Sequence, residues 1–301
     1  MNVLITGGSG FIGQALCASL ARDGHVPLVV SRSPERAASQ LPPTAVVRAS
    51  ALDFIEEAPE AVVNLAGEPI AEGRWTAAKK KALVDSRVEA TRAVVELCRQ
   101  ANPAPKVLVS ASAVGYYGDQ GAREVTEQTT PNDEFAHQLC RRWEAEAGKA
   151  EEHGVRVAIV RIGLVLDAGG GMLAKTTPVF KLGLGGKLGN GEQYMPWIHR
   201  EDMVGAIRFL LEREDLSGPF NGSAPHPVTN AEFTRELGRA LHRPAVLPAP
   251  ALALKLAFGE MSRLLLTGAK MRPARLEEAG FEFRFRQLDQ ALAEIFGRTN
   301  G

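Results

Sequence analysis

Cysteine is scarce in this chain: three in 301 residues, Cys17, Cys98 and Cys140, far apart and with no C-x-x-C pair. That excludes a disulfide framework and a cysteine-rich metal site, and suits small buried hydrophobes in a reducing compartment. An excess of charge is missing too. Thirty-five lysines and arginines balance thirty-five aspartates and glutamates, so nothing favours nucleic acid or an anionic membrane as a partner. No apolar run approaches the ~20 residues of a membrane span. Met1 leads straight into a strand pattern, which leaves no room for a signal peptide. The expectation is a cytoplasmic protein with a small-molecule partner and an open oligomeric state, a homodimer among the options. Repeats, low-complexity tracts and charge blocks are also absent. What is present, 45% apolar and 23% charged residues, is ordinary for a globular protein with one large or two modest domains.

The most informative stretch is the first, MNVLITGGSGFIG. Residues 2–6 form a short β-branched run of the kind buried on both faces of a sheet. From Phe11 the spacing turns helical, with Ile12, Leu16 and Leu20 on one side. Between them Gly7, Gly10 and Gly13 are spaced G-x-x-G-x-x-G. Such glycines permit a tight turn, close approach of backbone to a pyrophosphate, and close packing of helix on strand. The helix start offers unpaired N–H groups, Phe11 and Ile12 among them, and the positive end of its dipole to phosphate. The stretch reads as a dinucleotide site.

Residues 26–30 give a second strand. Where an NAD-preferring site places an acidic residue near its end, this chain has Ser31-Arg32-Ser33, with Arg36 a turn later. A guanidinium cannot accept hydrogen bonds from a ribose diol, but it grips a 2′-phosphate with two parallel charged bonds. The expected cofactor is therefore NADP, with Arg32 as the discriminating residue.

Residues 45–48 and 61–65 give two more strands, the latter ending in Asn64-Leu65-Ala66-Gly67, a small-residue turn suited to a cofactor crossing the sheet. Residues 75–101 are helical and carry a lysine run, 79–81, read as a solvated face. Residues 106–110 form a fifth strand that runs into Ser110, Ser112, Tyr116, Tyr117 and Gly118, where such sheets place their chemistry. Residues 134–152 are helical, and 155–166 a sixth strand containing Arg161. The cofactor set read from these positions is Gly7, Gly10, Phe11, Ile12, Gly13, Ser31, Arg32, Asn64, Ala66, Gly67, Ser110 and Arg161; the catalytic set is Ser112, Tyr117 and Tyr116. No metal site is expected.

Strand–helix alternation of this kind specifies an α/β fold, a Rossmann-like doubly wound parallel sheet over residues 1–166, with a smaller, mixed substrate-side domain over 167–301. That second part opens with a glycine-rich, loop-like segment, 167–199, holding Lys175, Lys187 and His199 and suited to covering the nicotinamide end. Helices follow at 200–213, which packs back on the first domain, and at 229–241, with Thr229 and Glu232 as a capping box. A proline-rich link at 243–250, a helix at 251–266, a segment at 280–285 and a helix at 288–296 complete the chain.

GGSGFIG at 7–13, NLAGEPI at 64–70, SASAVGYYG at 110–118 and RIGLVL at 161–166 resemble the extended and atypical short-chain dehydrogenase/reductase superfamily. More narrowly, the chain is similar to its NAD-dependent epimerase/dehydratase-like branch, the cell-division-inhibitor-related epimerases. The stretch from about Pro227 resembles the small domain of unknown function attached to that branch. The resemblance implies an NADP(H)-binding domain, a substrate-side domain, and a catalytic Ser with a Tyr-x-x-x-Lys pair on the helix after strand five. In that pair an ammonium stabilises a phenolate whose unperturbed pKa is near 10.

The pair is absent from this chain. The equivalent positions are Ala136 and Cys140, and no Y-x-x-x-K occurs elsewhere. Ser112, or Ser110, takes the serine position, and Tyr116 or Tyr117 is left to supply an acid, with Lys175, Lys187 or His199 as substitutes for the lysine. His137 is read as a partly exposed helical histidine. Three functions fit: an NADP(H)-dependent reductase or epimerase acting on a small carbonyl or hydroxyl compound, a sugar nucleotide among the options; a catalytically inactive NADP(H)-binding regulator or scaffold; and an interaction domain with an empty cleft.

Overall fold

The computed structural model describes residues 1–297. Its centre is a seven-stranded, all-parallel sheet: β1 (Asn2–Thr6), β2 (Val26–Val30), β3 (Val46–Arg48), β4 (Ala61–Asn64), β5 (Val107–Ala113), β6 (Arg156–Ile162) and β7 (Gly218–Gly222). The order across the sheet is β7-β6-β5-β4-β1-β2-β3. Successive side chains serve opposite faces. Val3, Ile5, Val63, Val109 and Val160 face one core, under α1 (Phe11–Arg22) and α5 (Arg200–Glu212). Leu4, Val62, Leu108 and Val157 face a second core, under α2 (Ala77–Gln100). Burial on both faces explains the nearly continuous apolar strands.

The other helices of eight residues or more among the described residues are α3 (Phe135–Gly148), α4 (Gly171–Lys181), α6 (Asn230–Ala240), α7 (Ala251–Phe258) and α8 (Leu288–Gly297). A third core, around Trp197, Phe233, Leu292 and Phe296, holds the smaller lobe together. The capping box forms as expected, Thr229 accepting from the Glu232 N–H and Glu232 from the Thr229 N–H.

Several boundaries differ from expectation, each for a local reason. The strand expected over 155–166 breaks at Gly163, where a Cβ would lie 2.1 Å from the Pro196 carbonyl. Leu164–Leu166 then leaves the sheet and pairs with Trp197–His199. The sheet takes its last strand, β7, from beyond residue 166. Within 167–199, α4 replaces much of the expected loop. The helix expected over 251–266 stops at Gly259, whose φ of 59° ends α7. The helical stretch expected over 134–152 tightens after Gly148 into a single-turn 3₁₀ segment, Lys149–His153. No helix among the described residues is long and apolar enough to cross a membrane.

Candidate functional site

The sheet order reverses at β1, between β2 and β4, and the crevice at the carboxyl ends of β1 and β4 is the switch point of the fold. Gly7, at φ 71°, turns the chain there against the Leu65 backbone, 2.8 Å from where a Cβ would stand. Gly13 seats α1 on the turn, since a Cβ would lie 2.2 Å from the Gly7 carbonyl. Gly10 is the N-cap and provides no side-chain cap. The N–H groups of Phe11, Ile12 and Gly13 make no hydrogen bond with the described residues, and the first turn holds no acid. This is an anion cradle. Ser31 folds on itself, its hydroxyl accepting from the Ser33 N–H. Arg32 is exposed, and neither it nor Arg36 has an ion pair among the described residues. On the other side of the crevice the Gly170 turn packs on the Phe11 ring, with the Arg200 guanidinium 5.0 Å from that ring and ion-paired to Asp167 at 2.8 Å.

Beneath the crevice lies a closed polar network. Thr6 donates to Asn64 at 2.6 Å and accepts from the Ala66 N–H; Asn64 donates to Thr91 and Ser110 at 2.8 and 3.1 Å. Asn64 and Ser110 are fully buried. Their side chains pin the ends of β4 and β5 to β1 and α2. Gly67 is required by a neighbour of its own, because a Cβ there would stand 3.0 Å from Arg87 Cζ. Arg87 is buried against Trp143, and burial lowers its pKa. The lysines before it are paired rather than free: Lys79 with Glu68, Lys80 with Glu260, Lys81 with Asp85.

Arg161 is likewise held inside the fold. It lies 4% exposed at the end of β6 and bonds both oxygens of Glu144 on α3, at 3.0 and 2.9 Å. Burial works against its charge, yet Glu144 holds its pKa above the ordinary value. Ser112 donates to the same carboxylate at 2.6 Å. Tyr117, with no exposed surface, donates to Asn221 at 2.6 Å and accepts from Arg161 at 3.0 Å; burial pushes its pKa up to about 12. Ser112, Tyr117 and Arg161 therefore form an internal brace, and Tyr117 does not present its hydroxyl to an open surface. Tyr116 is half-buried, its ring stacked 3.4 Å from the Arg161 guanidinium carbon. His137 is buried, not partly exposed, and its Nδ1 sits 2.6 Å from the Tyr116 carbonyl.

Two of the expected lysine substitutes have partners of their own. Lys175 pairs with Glu72 at 3.9 Å. His199 is fully buried, between Glu294 and the Glu201 N–H, and burial lowers its pKa. Cys140, where the lysine would stand, is buried and pushed up to about 11. Where the tyrosine would stand, Ala136 instead lines a cavity of about 420 Å³ beyond β5, walled by Trp75, Phe135 and Leu264 and mouthed by Glu134 and Arg263. Sequence reasoning missed this cavity, because five of its twelve lining residues come from 260–268, far along the chain. No cluster of metal-ligating side chains occurs among the described residues.

A switch-point crevice with a glycine-built anion cradle defines a Rossmann-like protein of the short-chain dehydrogenase type. More narrowly, the chain belongs to the NAD dependent epimerase/dehydratase family, whose model matches residues 3–221; a domain of unknown function, DUF1731, matches 249–295. Its curated relatives include "Epimerase family protein Mb2239" of Mycobacterium bovis, 42% identical over 96% of both chains. Another is the chloroplastic epimerase family protein SDR39U1 homolog of Arabidopsis thaliana, 40% identical over 98% of this chain and 86% of that one. Among solved structures, human epimerase family protein SDR39U1 (isoform 2), crystallised with NADPH, superposes with a TM-score of 0.88 at 35% identity, covering 99% of each chain. A UDP-glucose 4-epimerase of Thermotoga maritima, at 19% identity and a TM-score of 0.79, shares the fold.

Proposed function

We propose that this protein is an NADP(H)-dependent oxidoreductase or epimerase for a small carbonyl or hydroxyl compound, working with a catalytic set other than Tyr-x-x-x-Lys. The observation that carries the reading is the cradle at Gly7–Gly13, whose N–H groups at 11–13 have no partner among the described residues, together with the exposed Arg32 just after β2, which has no ion pair among them. Gly10, Phe11, Ile12 and Gly13 would hold the pyrophosphate and Ser31, Arg32 and Arg36 the 2′-phosphate, while the Ala66 backbone passes beneath. The human relative crystallised with NADPH supports the same assignment. Bound there, NADP(H) supplies hydride exchange at a carbon carrying oxygen.

The chain's own residues do the rest. Ser112, Glu144 and Arg161 fix the end of β5 against α3. Of the three candidate hydroxyls, Tyr116 is the one we assign to proton exchange with the substrate oxygen, because Ser112 and Tyr117 are closed off by burial and by their own bonds. Arg32→Asp tests the cofactor assignment: NADPH binding measured by calorimetry should weaken roughly 10- to 100-fold, from a lost charge-assisted contact of about 1.5–3 kcal/mol, while NADH binding changes little. Equal losses refute the 2′-phosphate assignment.

Ala136 and Cys140 in place of the dyad favour a second reading, an NADP(H)-binding regulator without turnover. It predicts tight NADPH binding, no oxidation of NADPH with any carbonyl substrate, and no functional effect of Tyr116→Phe.

A further inference from the structure

We infer that the cavity beyond β5 takes an uncharged, planar, largely apolar carbonyl compound such as an aryl ketone, and not a nucleoside-diphosphate sugar. This deepens the reading above and rests on it for the reaction, though not for the binding. The cavity opens where Ala136 stands in place of the family's tyrosine and is floored by Gly115 and Gly118 at the end of β5. Its volume of about 420 Å³ lies within the range of small-molecule sites.

The walls are carbon. Trp75 and Phe135 meet edge to face, with ring centroids 5.0 Å apart, and present an aromatic corner to the ligand. The indole N–H of Trp75 is turned away, donating to the Ile70 carbonyl at 3.0 Å. Leu264, Val114 and the Ala136 methyl complete the surface.

The polar groups at the mouth are all engaged with one another. Arg263 pairs with Glu134 at 2.5 Å, Glu260 with Lys80 at 2.6 Å, and the Thr267 hydroxyl donates to the Arg263 carbonyl at 2.7 Å. Arg74, beside Trp75, is bonded to the carbonyls of Leu256 and Ala257. Each carboxylate of the lining is thus already paired with a cation, Glu134 with Arg263 and Glu260 with Lys80, whose ammonium also stands 4.9 Å from the Phe135 ring centre. A diphosphate entering here would have to take Arg263 or Lys80 from its carboxylate and strand that carboxylate, so it would lose its hydration without a net replacement. A neutral flat ring loses little and gains stacking.

The experiment titrates the purified protein, with and without saturating NADPH, with 2-acetonaphthone and separately with UDP-glucose. Binding is read by tryptophan quenching and calorimetry. 2-Acetonaphthone should bind in both states, and Phe135→Ala should weaken it about tenfold. UDP-glucose should not compete. Glu134→Gln, which frees Arg263 yet keeps an acceptor for the Asp119 N–H, should leave 2-acetonaphthone binding within twofold and create measurable affinity for 2-naphthoate. If Phe135→Ala does not fold, Phe135→Leu replaces it with the same expected direction. UDP-glucose binding that displaces 2-acetonaphthone, or 2-acetonaphthone binding indifferent to residue 135, overturns the inference. Failure of NADPH to bind, with 2-acetonaphthone binding intact, overturns the proposed function and leaves this inference standing.

Discussion

The buried pair Arg161–Glu144 is the strongest single test of how the site is held. Its side chains are 5% and 15% exposed, and it ties β6 to α3 through two bonds of about 3 Å. Glu144→Gln preserves shape and leaves Ser112 an acceptor, but strands the guanidinium in the interior. Arg161 loses its charged partner and the bond from Nη2, and retains the amide oxygen at Nε, the Tyr117 hydroxyl at 3.0 Å and the Glu127 carbonyl at 3.3 Å. Breaking one partner of a buried pair typically costs 3–5 kcal/mol, and those remaining contacts place this case near the lower end, about 3 kcal/mol. Urea unfolding followed by circular dichroism should show that loss, with a fall in Tm of roughly 6 °C at ~2 °C per kcal/mol for a chain of this size. Glu144→Leu combined with Arg161→Met removes both charges while filling the space. It should regain at least half of the loss, because a charge without a partner, not a missing attraction, is what destabilises the single variant. A single variant costing under about 1 kcal/mol, or a double variant less stable than the single, refutes the reasoning.

Three further predictions follow from particular contacts. Gly13→Ala puts a methyl 2.2 Å from the Gly7 carbonyl; α1 must lift off the turn, and NADPH affinity should fall at least tenfold in calorimetry while Gly24→Ala leaves it nearly unchanged. His199 stays neutral in the fold because burial lowers its pKa from 6.5, so the unfolded chain takes up its proton first. Its share of stability is therefore present above about pH 6.5 and lost as pH falls, and His199→Asn should flatten the pH 7-to-5 slope of the unfolding free energy; an unchanged slope would count against it. Cys17 and Cys98 are pushed up to about 12 and Cys140 to about 11, all by burial. Native protein should then give no fast reaction with Ellman's reagent, and unfolded protein three thiols. A rapidly modified thiol in the native state would contradict the burial.

The sheet was legible because its strands are short, β-branched and buried on both faces, a pattern that needs only local sequence. The cradle was legible for the same reason, since Gly7, Gly10 and Gly13 act within one turn. What escaped was long-range. Nothing local marks Gly218–Gly222 as a strand: GPFNG has two glycines and a proline, and only pairing with β6 makes it one. Likewise Ser110, Asn64 and Arg161 have the composition of ligand-binding residues, yet their partners, Thr91 and Glu144, lie on helices elsewhere in the chain. Polarity at a strand end signals a network, and the sequence does not say whether that network faces inward or outward. The aromatic cavity was invisible because Trp75, Phe135 and Leu264 meet only in three dimensions.

The contact between Gly115 and Ala136 bears on what position 136 can accept. A side chain at 115 would come within 3.0 Å of the Ala136 methyl, so the turn after β5 and the first turn of α3 have settled against each other at a distance that suits only small residues. A tyrosine placed at 136 would carry its ring into the cavity that Ala136 lines with Trp75, Phe135 and Leu264. Supplying the missing phenol there would fill the very space a small molecule could enter.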